Sequence, residues 1–535
     1  MSGPNSAIVE SPTRTIDAPT ATLPSYIRNL ARGRADQLAI VESPTRRHLT
    51  YGELDQHIGR IAAGLTSRGF RPGDTLLIVA PNVLEWPVMM LGALAAGGVV
   101  SGANPASSAA DLARQMLDAG ARLVFTVDSL RDKVREAASA VDDAMLVVLA
   151  EHEGRDIGYQ SLLAAADPEP TTAEDPDALA ALPYSSGTTG LPKGVRLSHR
   201  TILSNLLQIS VHLQDPGEER SPFVLAYLPM FHILGFTVQT LLPLVEGRTL
   251  LTLPRFEPDS FLKALQDFRL THVGLVPPLL HFLMHDRRVA NYDLSSLKRL
   301  TCGAAPLGKG SQEEAARRLG CIVAQGFGMT EASGVVSINR PGRERAGSSG
   351  ELLPGTQARV VDPTTLADVP RGSPGEIWFR GPQTFLGYHN QPEATADTLM
   401  SDGWVRTGDI GYFDTDGYLY LTDRLKELIK VKGYQVAPAE LEALLYTHPQ
   451  VADAAVIGRA DERCGEVPVA YVVPRGELDP SSLMDWVAQR VPEYKKLADV
   501  VQCEAIPKTP AGKILRRDLR MIDGQRAASG PRHLA

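Results

Sequence analysis

Cysteine is scarce in this chain. Only Cys302, Cys321, Cys464 and Cys503 occur in 535 residues, and no two form a CxxC pair. That excludes a disulfide framework and points to a reducing compartment, the cytoplasm. An excess of basic residues is also missing, with 54 Lys and Arg against 62 Asp and Glu and a net charge of −8. Nucleic acid is therefore not an expected partner. The first twenty residues carry acids and prolines where a secretory signal would need an apolar run. One charge-free stretch, Trp86 to Ala110, is long enough to raise the question of a membrane span. Pro87, the pair Gly97–Gly98 and the polar Ser101–Pro105 interrupt it, so it reads as a buried helix followed by a buried strand, with no integral membrane segment.

What the chain has is length, 47 glycines and 39 prolines. The length exceeds one core, and the turn-forming residues are spread throughout. From about Pro72, short apolar runs alternate with helical patterns. Thr75–Ala80, Gly98–Val100, Arg122–Val127 and Ala144–Ala150 read as strands, with helices at Leu84–Ala96 and Ala109–Ala119. Continuous apolar strands between helices predict a parallel sheet covered on both faces. The rhythm resumes with strands expected at Phe223–Leu228, Thr249–Leu253, His272–Leu275, Arg299–Cys302 and Cys321–Gln325. Beyond Gly350, Gln357–Val361, Gly375–Arg380 and Tyr418–Thr422 read as a small antiparallel sheet or barrel. After Asp423 comes an α+β pattern: helices at Ala439–Tyr446 and Ser481–Val491, strands at Ala452–Ile457 and Val467–Val473.

The expected architecture is α/β. A large N-terminal body of two doubly wound subdomains plus a small β-barrel-like subdomain precedes a small mobile α+β C-terminal domain. The expected boundaries are a flexible tail at 1–22, a body at 23–422, a hinge at 423–426, a mobile domain at 427–522 and a second tail at 523–535.

The densest chemistry lies in Tyr184-Ser-Ser-Gly-Thr-Thr-Gly-Leu-Pro-Lys-Gly194. Gly187 and Gly190 let backbone N–H groups turn inward, while Ser185, Ser186, Thr188, Thr189 and Lys193 offer donors to phosphate oxygens. It is not a Walker A loop, because Pro192 precedes Lys193 and Gly194 follows where Ser or Thr should stand. We read it as a triphosphate-binding loop. Gln325-Gly-Phe-Gly-Met-Thr-Glu331 follows a predicted strand, where nucleotide sites of open α/β sheets form. A carboxylate such as Glu331 beside bound phosphates makes a sensible Mg²⁺ site.

SSGTTGLPKG resembles the signature of the adenylate-forming superfamily, which holds acyl- and aryl-CoA ligases, firefly luciferase and peptide-synthetase adenylation domains. LPMFH (228–232), GAAPLG (303–308), QGFGMTE (325–331), WVRTGD (404–409), DRLKELIKVKGYQVAPAE (423–440) and IPKTPAGKILRR (506–517) follow in the family's order. The resemblance covers roughly residues 25–520 and is strongest to 4-coumarate–CoA ligase-like and medium-chain acyl-CoA ligases.

The resemblance implies ATP, Mg²⁺ and CoA. It puts Glu331 near Mg²⁺ and the α-phosphate, with Thr188 as a second metal residue, and Thr330 on phosphate. Gly303, Ala304 and Ala305, together with Gln325, Gly326, Phe327 and Gly328, would line the nucleotide and acyl walls. Asp409 would grip the ribose hydroxyls, with Arg424 completing that end. Lys513, a long flexible point charge, would bridge the substrate carboxylate and the α-phosphate. His232 would gate the acyl pocket without acting as a base, because a carboxylate is already ionised at neutral pH. Lys426 would be the hinge about which Lys513 leaves and Lys430, Lys432 and Gly433 arrive for thioester formation. Tyr494, Lys495, Lys496, Arg516 and Arg517 would meet the phosphates of CoA.

Leu234 stands where 4-coumarate ligases commonly carry a tyrosine for the ring hydroxyl. With Phe236, Val238, Gly334 and Val335 it suggests an apolar pocket, suited to a medium-chain fatty acid or a cinnamate-like aryl acid. The expected activity is carboxylate–CoA ligation through an acyl-adenylate. The alternatives are loading of a carrier-protein phosphopantetheine and, in a different class, a non-catalytic nucleotide-binding protein. Pro507–Lys513 also resembles the PxxxxGK pattern at which a lysine acetyltransferase modifies bacterial acyl-CoA ligases, which would remove the Lys513 charge. Monomer and homodimer both remain open.

Overall fold

The computed structural model describes residues 8–142, 144–150, 156–164, 174–185, 192–214, 217, 220–305, 307–432, 434–461, 463–509 and 512–529. Its first sheet has seven strands. At its centre Thr75–Val79, all five residues buried, pairs in parallel with Val99–Gly102 and Ala121–Val127, and the latter with Met145–Leu149. Continuous apolar character thus marks strands covered on both faces. The charge-free run resolves into the fully buried helix Glu85–Ala95 and the strand Val99–Gly102. That helix packs on Tyr51–Thr66, whose start is fixed by a capping box between Thr50 and Glu53. Gly92 permits the close approach, since a Cβ there would lie 2.3 Å from Ile61 Cγ2.

The second sheet takes in a strand from outside the expected run. Phe223–Ala226 and Thr249–Thr252 pair in parallel, and the next strand is Leu38–Glu42, which comes from ahead of the first sheet. His272–Leu275, Arg299–Cys302 and Ile322–Met329 form a further parallel set. The last of these strands runs on beyond its expected end. It pairs in parallel up to Gln325, then antiparallel from Gly326 to Met329 with Gly334–Ile338. QGFGM is therefore strand, not the loop after one. Gly328 is required at the bend, where a Cβ would lie 1.9 Å from the Gly334 carbonyl oxygen.

A five-stranded antiparallel sheet follows, built on Gln357–Val361, Gly375–Arg380, Val405–Phe413 and Leu419–Arg424. Its edge strand is Ile8–Glu10, paired with Gln357–Arg359. The segment expected as a loose tail at 1–22 therefore enters a sheet, with Val9 in the main core. The C-terminal unit pairs Val451–Asp461 with Gly465–Pro474 and packs Pro438–Tyr446 against them. The helix Arg516–Ser529 runs into the other expected tail. Asp523 is buried there, ion-paired with Arg459 at 2.6 Å and accepting a hydrogen bond from Tyr471 Oη. Neither segment announces its structure in the sequence, because a short apolar strand and a helix of mixed polarity carry little local signal. Among the described residues, no helix is long and apolar enough to cross a membrane.

Candidate active site

The lysine of the SSGTTGLPKG segment is fixed by a two-residue hairpin: Tyr184–Ser185 pairs antiparallel with Lys193–Gly194. Ser186, Gly187, Thr188, Thr189 and Gly190 lie outside the described residues. Tyr184 Oη donates to Asp118 Oδ2 at 2.5 Å, anchoring one leg of the hairpin. The other leg is stitched to residues 386–389, with Arg196 N donating to the Gly387 carbonyl and His389 N to that of Gly194. Lys193 Nζ lies 4.7 Å from the centroid of the Tyr388 ring.

Tyr388 also reaches Glu331. Its hydroxyl donates to Glu331 Oε1 at 2.6 Å, and both residues are buried. Burial and the neighbouring carboxylate push the phenol up, so it stays a donor. The other oxygen, Oε2, accepts no hydrogen bond among the described residues. One carboxylate oxygen left without a protein donor fits Mg²⁺, which takes few protein ligands and completes its shell with phosphate and water. Among the described residues, no group of three or more His, Cys, Asp or Glu forms an all-protein cage. Thr330 opens the short helical turn that carries Glu331.

Asp409 sits on Val405–Phe413, opposite Arg424 in register, with Arg424 Nε 3.1 Å from Oδ1. Burial pushes the Asp409 carboxyl up against the pull of Arg424 and Lys513. Its Oδ2 is buried with no hydrogen-bond partner. An orphaned buried acceptor of this kind is costly, and paired hydroxyls of a ligand would satisfy it. The predicted hinge adjoins it: Leu425 N donates to the Gly408 carbonyl, and Lys426 is exposed in the turn that follows.

Lys513 is brought to this group from the far end of the chain. Its tight turn is closed by Gly512 N to the Thr509 carbonyl and by Lys513 N to Thr509 Oγ1. Gly512 has φ +81° and lies where a Cβ would press on Pro278 of the body at 3.1 Å. Burial first, then Arg424, lowers the Lys513 ammonium to about 8, while Glu427 and Asp409 act in the opposite sense. Lys513 in turn lowers His232, which burial already pushes down to about 4, so the imidazole is neutral. Leu234 N donates to His232 Nδ1 at 3.4 Å.

The acyl-side residues cluster partly as expected. Leu234 begins the π-helix Leu234–Leu241, and its Cδ2 approaches the open side of Gly303. Phe236 packs edge-on to Trp86 at 6.1 Å, and Phe236, Val335 and Phe327 share one core cluster, with Val238 against it. Gly334 has φ +141°, and a Cβ there would meet Thr237 Oγ1 at 2.7 Å and Asn205 Oδ1 at 2.8 Å. Asn205 pins the Val335 backbone through both its N–H and its carbonyl. Ala304 follows with φ +70°, and Ala305 is half-buried beside it.

Three expectations are corrected. Gln325 does not present its side chain to a ligand: Oε1 accepts from Leu307 N, and Nε2 donates to the Leu307 carbonyl and to Gln312 Oε1. It braces the 303–308 turn. Arg516 is buried and ion-paired with Glu427 and Glu442, both at 2.6 Å, so it does not reach for CoA phosphates. Lys495 pairs with Glu440 and Lys496 with Glu493, while Tyr494 stacks on Tyr434. Lys430 and Lys432 are exposed, whereas the Lys513 loop meets the body; Gly433 lies outside the described residues. Tyr388 was missed by sequence reasoning. Its only local signal is the run Gly387-Tyr-His-Asn390, which reads as an ordinary turn.

Two family models match the chain. AMP-binding enzyme covers residues 27–389, and AMP-binding enzyme C-terminal domain covers residues 440–513. The chain is 37% identical to a 4-coumarate–CoA ligase of Pinus taeda over 93% of its own length and 94% of that protein's. It is 37% identical to the peroxisomal OPC-8:0-CoA ligase 1 of Arabidopsis thaliana, with 94% and 93% covered. The fold matches ATP-bound MatB from Rhodopseudomonas palustris with a TM-score of 0.84 at 29% identity, covering 93% of this chain and 98% of that one. The chain belongs to the AMP-binding enzymes, the adenylate-forming family, and is an AMP-forming acyl- or aryl-CoA ligase that uses ATP, Mg²⁺ and CoA.

Proposed function

We propose that the acid is a medium-chain fatty acid or an unsubstituted cinnamate-like aryl acid, and that the acceptor is the thiol of CoA. The observation that carries the reading is the placement of Leu234, whose Cδ2 would lie 3.9 Å from a Cβ at Gly303, so that an apolar side chain stands over the open face of that glycine. A ring hydroxyl held against Leu234 would lose its water without replacement, costing roughly 1–3 kcal/mol.

In this reading Lys193 and the loop from Ser185 to Gly190 grip the triphosphate. Asp409 and Arg424 hold the ribose, and Gly303–Ala305 with Gly326–Gly328 line the base and acyl walls. Glu331 and Thr188 would hold Mg²⁺, which when bound neutralises phosphate charge. The substrate carboxylate is ionised and attacks the α-phosphate directly, with pyrophosphate leaving. Lys513 offsets the repulsion between these two anions as they approach, and His232, neutral, shapes the entrance beside them. In the second half-reaction the thiol attacks the acyl carbonyl and AMP leaves. Rotation at Lys426 withdraws Lys513 and brings Lys430, Lys432 and Gly433 to the site. Acetylation at Lys513 would block the first half-reaction alone.

The test is a CoA-dependent AMP-release screen over acids of graded chain length and ring substitution. Octanoate and cinnamate are expected to exceed 4-coumarate in kcat/KM, and the reverse order would overturn the pocket reading. A second reading, loading of a carrier-protein phosphopantetheine, is separated by product analysis with CoA against a holo carrier protein.

A further inference from the structure

Tyr388 touches both charged partners of the phosphate end of the site and is neither of them. Its hydroxyl donates to Glu331 Oε1 at 2.6 Å, and its ring lies under Lys193 Nζ at 4.7 Å. The ring is locked in place. Tyr388 N donates to Thr395 Oγ1 at 2.8 Å, Phe385 packs edge-on at 5.1 Å, and Tyr388 bridges antiparallel to Val195, two residues beyond Lys193. The same segment holds the Glu331 backbone, since Phe385 N donates to the Glu331 carbonyl at 3.0 Å.

The chemistry of these contacts is specific. A lysine or arginine on Glu331 would cancel the charge a divalent cation needs. A phenol orients the carboxylate and leaves its charge intact, with Oε2 turned away from the contact. The aromatic face likewise attracts the Lys193 ammonium without a carboxylate, so its three donors are left for phosphate. One side chain thereby keeps an anion and a cation apart, each ready for its own ligand.

We propose that Tyr388 is a positioning residue that sets the Glu331 carboxylate for Mg²⁺ and the Lys193 ammonium for the triphosphate. This rests on the reading of Glu331 as the metal-side carboxylate. Tyr388→Phe removes only the hydroxyl and keeps the ring under Lys193. Tyr388→Leu removes both.

The experiment is calorimetric titration of the full-length enzyme with ATP, in Mg²⁺ and in EDTA, alongside the Mg²⁺ dependence of acid-dependent pyrophosphate exchange. Mg²⁺ should strengthen ATP binding to the wild type. In Tyr388→Phe that gain should shrink by about tenfold, with the half-saturating Mg²⁺ concentration rising to match and metal-free ATP binding unchanged. In Tyr388→Leu, metal-free ATP binding should weaken as well, by roughly threefold or more. A Tyr388→Phe enzyme with the wild-type unfolding midpoint and the wild-type Mg²⁺ gain would overturn the proposal. Glu331→Gln separates the two ideas. If it abolishes the Mg²⁺ gain while Tyr388→Phe does not, only the Tyr388 role falls. If it leaves the gain intact, the reading of Glu331 falls with it.

Discussion

At the residue scale, Lys513 concentrates the argument. It is the last lysine of the chain, yet it feels the charges of Arg424, Glu427, Asp409 and Arg516, brought together from other strands, a turn and the C-terminal helix. In the proposed adenylation step, replacing it with alanine removes a charge that matters only when two anions are forced together. Lys513→Ala should therefore lower acid-dependent pyrophosphate exchange by at least roughly 100-fold while leaving ATP affinity and the unfolding midpoint close to wild type. Near-normal exchange in that variant would end the assignment. The pH dependence has a definite sign. Burial lowers the free-enzyme ammonium to about 8, so the active, charged form dominates below that pH. The adenylation kcat/KM should fall as pH rises through about 8, and Lys513→Arg should shift that limb upward, because guanidinium stays charged. His232 contributes no limb near neutrality, since it is already neutral above about 4.

At the scale of elements, the C-terminal helix is tied to the turn that holds Glu427 by one buried cation. Arg516 spans Glu427 in the turn and Glu442 in the helix Pro438–Tyr446, and its Nε also donates to the Val456 carbonyl. Removing it leaves two carboxylates buried without their cation, with Glu442 keeping the hydrogen bond from Val456 N. Arg516→Met should cost about 3–5 kcal/mol, seen as earlier urea unfolding by the fluorescence of Trp486 in the same domain. An unchanged midpoint would mean that Glu427 and Glu442 are held in some other way. Reading these elements from sequence succeeded where a short apolar run stood between helix-length segments, as in Thr75–Val79 or His272–Leu275. It failed where tertiary pairing overrides local pattern. Ile8–Glu10 is too short to announce itself, Leu38–Glu42 joins a sheet assembled two hundred residues later, and Val405–Phe413 hides behind the TGD turn it contains. The site divided in the same way. Glu331, Asp409 and Lys513 stand out as residues whose chemistry the ordered motifs imply. The partners of Arg516 and the position of Tyr388 depend on contacts from 57 residues apart, Tyr388 to Glu331, to 195 apart, Tyr388 to Lys193, which no local motif encodes.

At the scale of the whole molecule, the question is what holds the small domain where Lys513 faces the site. Among the described residues, several contacts span the seam, three of them away from the Lys513 cluster. Gly512 lies on Pro278, a Cβ at Gly308 would meet Ala443 at 3.4 Å, and Arg475 Nη2 donates to His281 Nε2 at 3.0 Å. A guanidinium can only donate, so this last bond requires the neutral ring with its proton on Nδ1. The His281 ring lies tilted against that of His285, centroids 4.4 Å apart, and is faced by Arg475, Asp453 and Lys508; His285 is faced by Arg475, Arg318 and Glu314. Burial, then His285 and Arg475, push the His281 ring down to about 4, which keeps it an acceptor at neutral pH. If the domain swings between half-reactions, this bond exists only in the arrangement that serves adenylation. Arg475→Gln should then slow adenylate formation about fivefold in single turnover, the worth of one hydrogen bond, and leave thioester formation from supplied acyl-adenylate unchanged. Acid should act in the same direction. As pH falls toward about 4 the ring gains a proton and repels Arg475, so the ratio of adenylation to thioester rates declines in the wild type and stays flatter in the variant. Equal slowing of both half-reactions by Arg475→Gln would instead assign the bond to general stability and leave the seam to the Gly512 and Gly308 contacts.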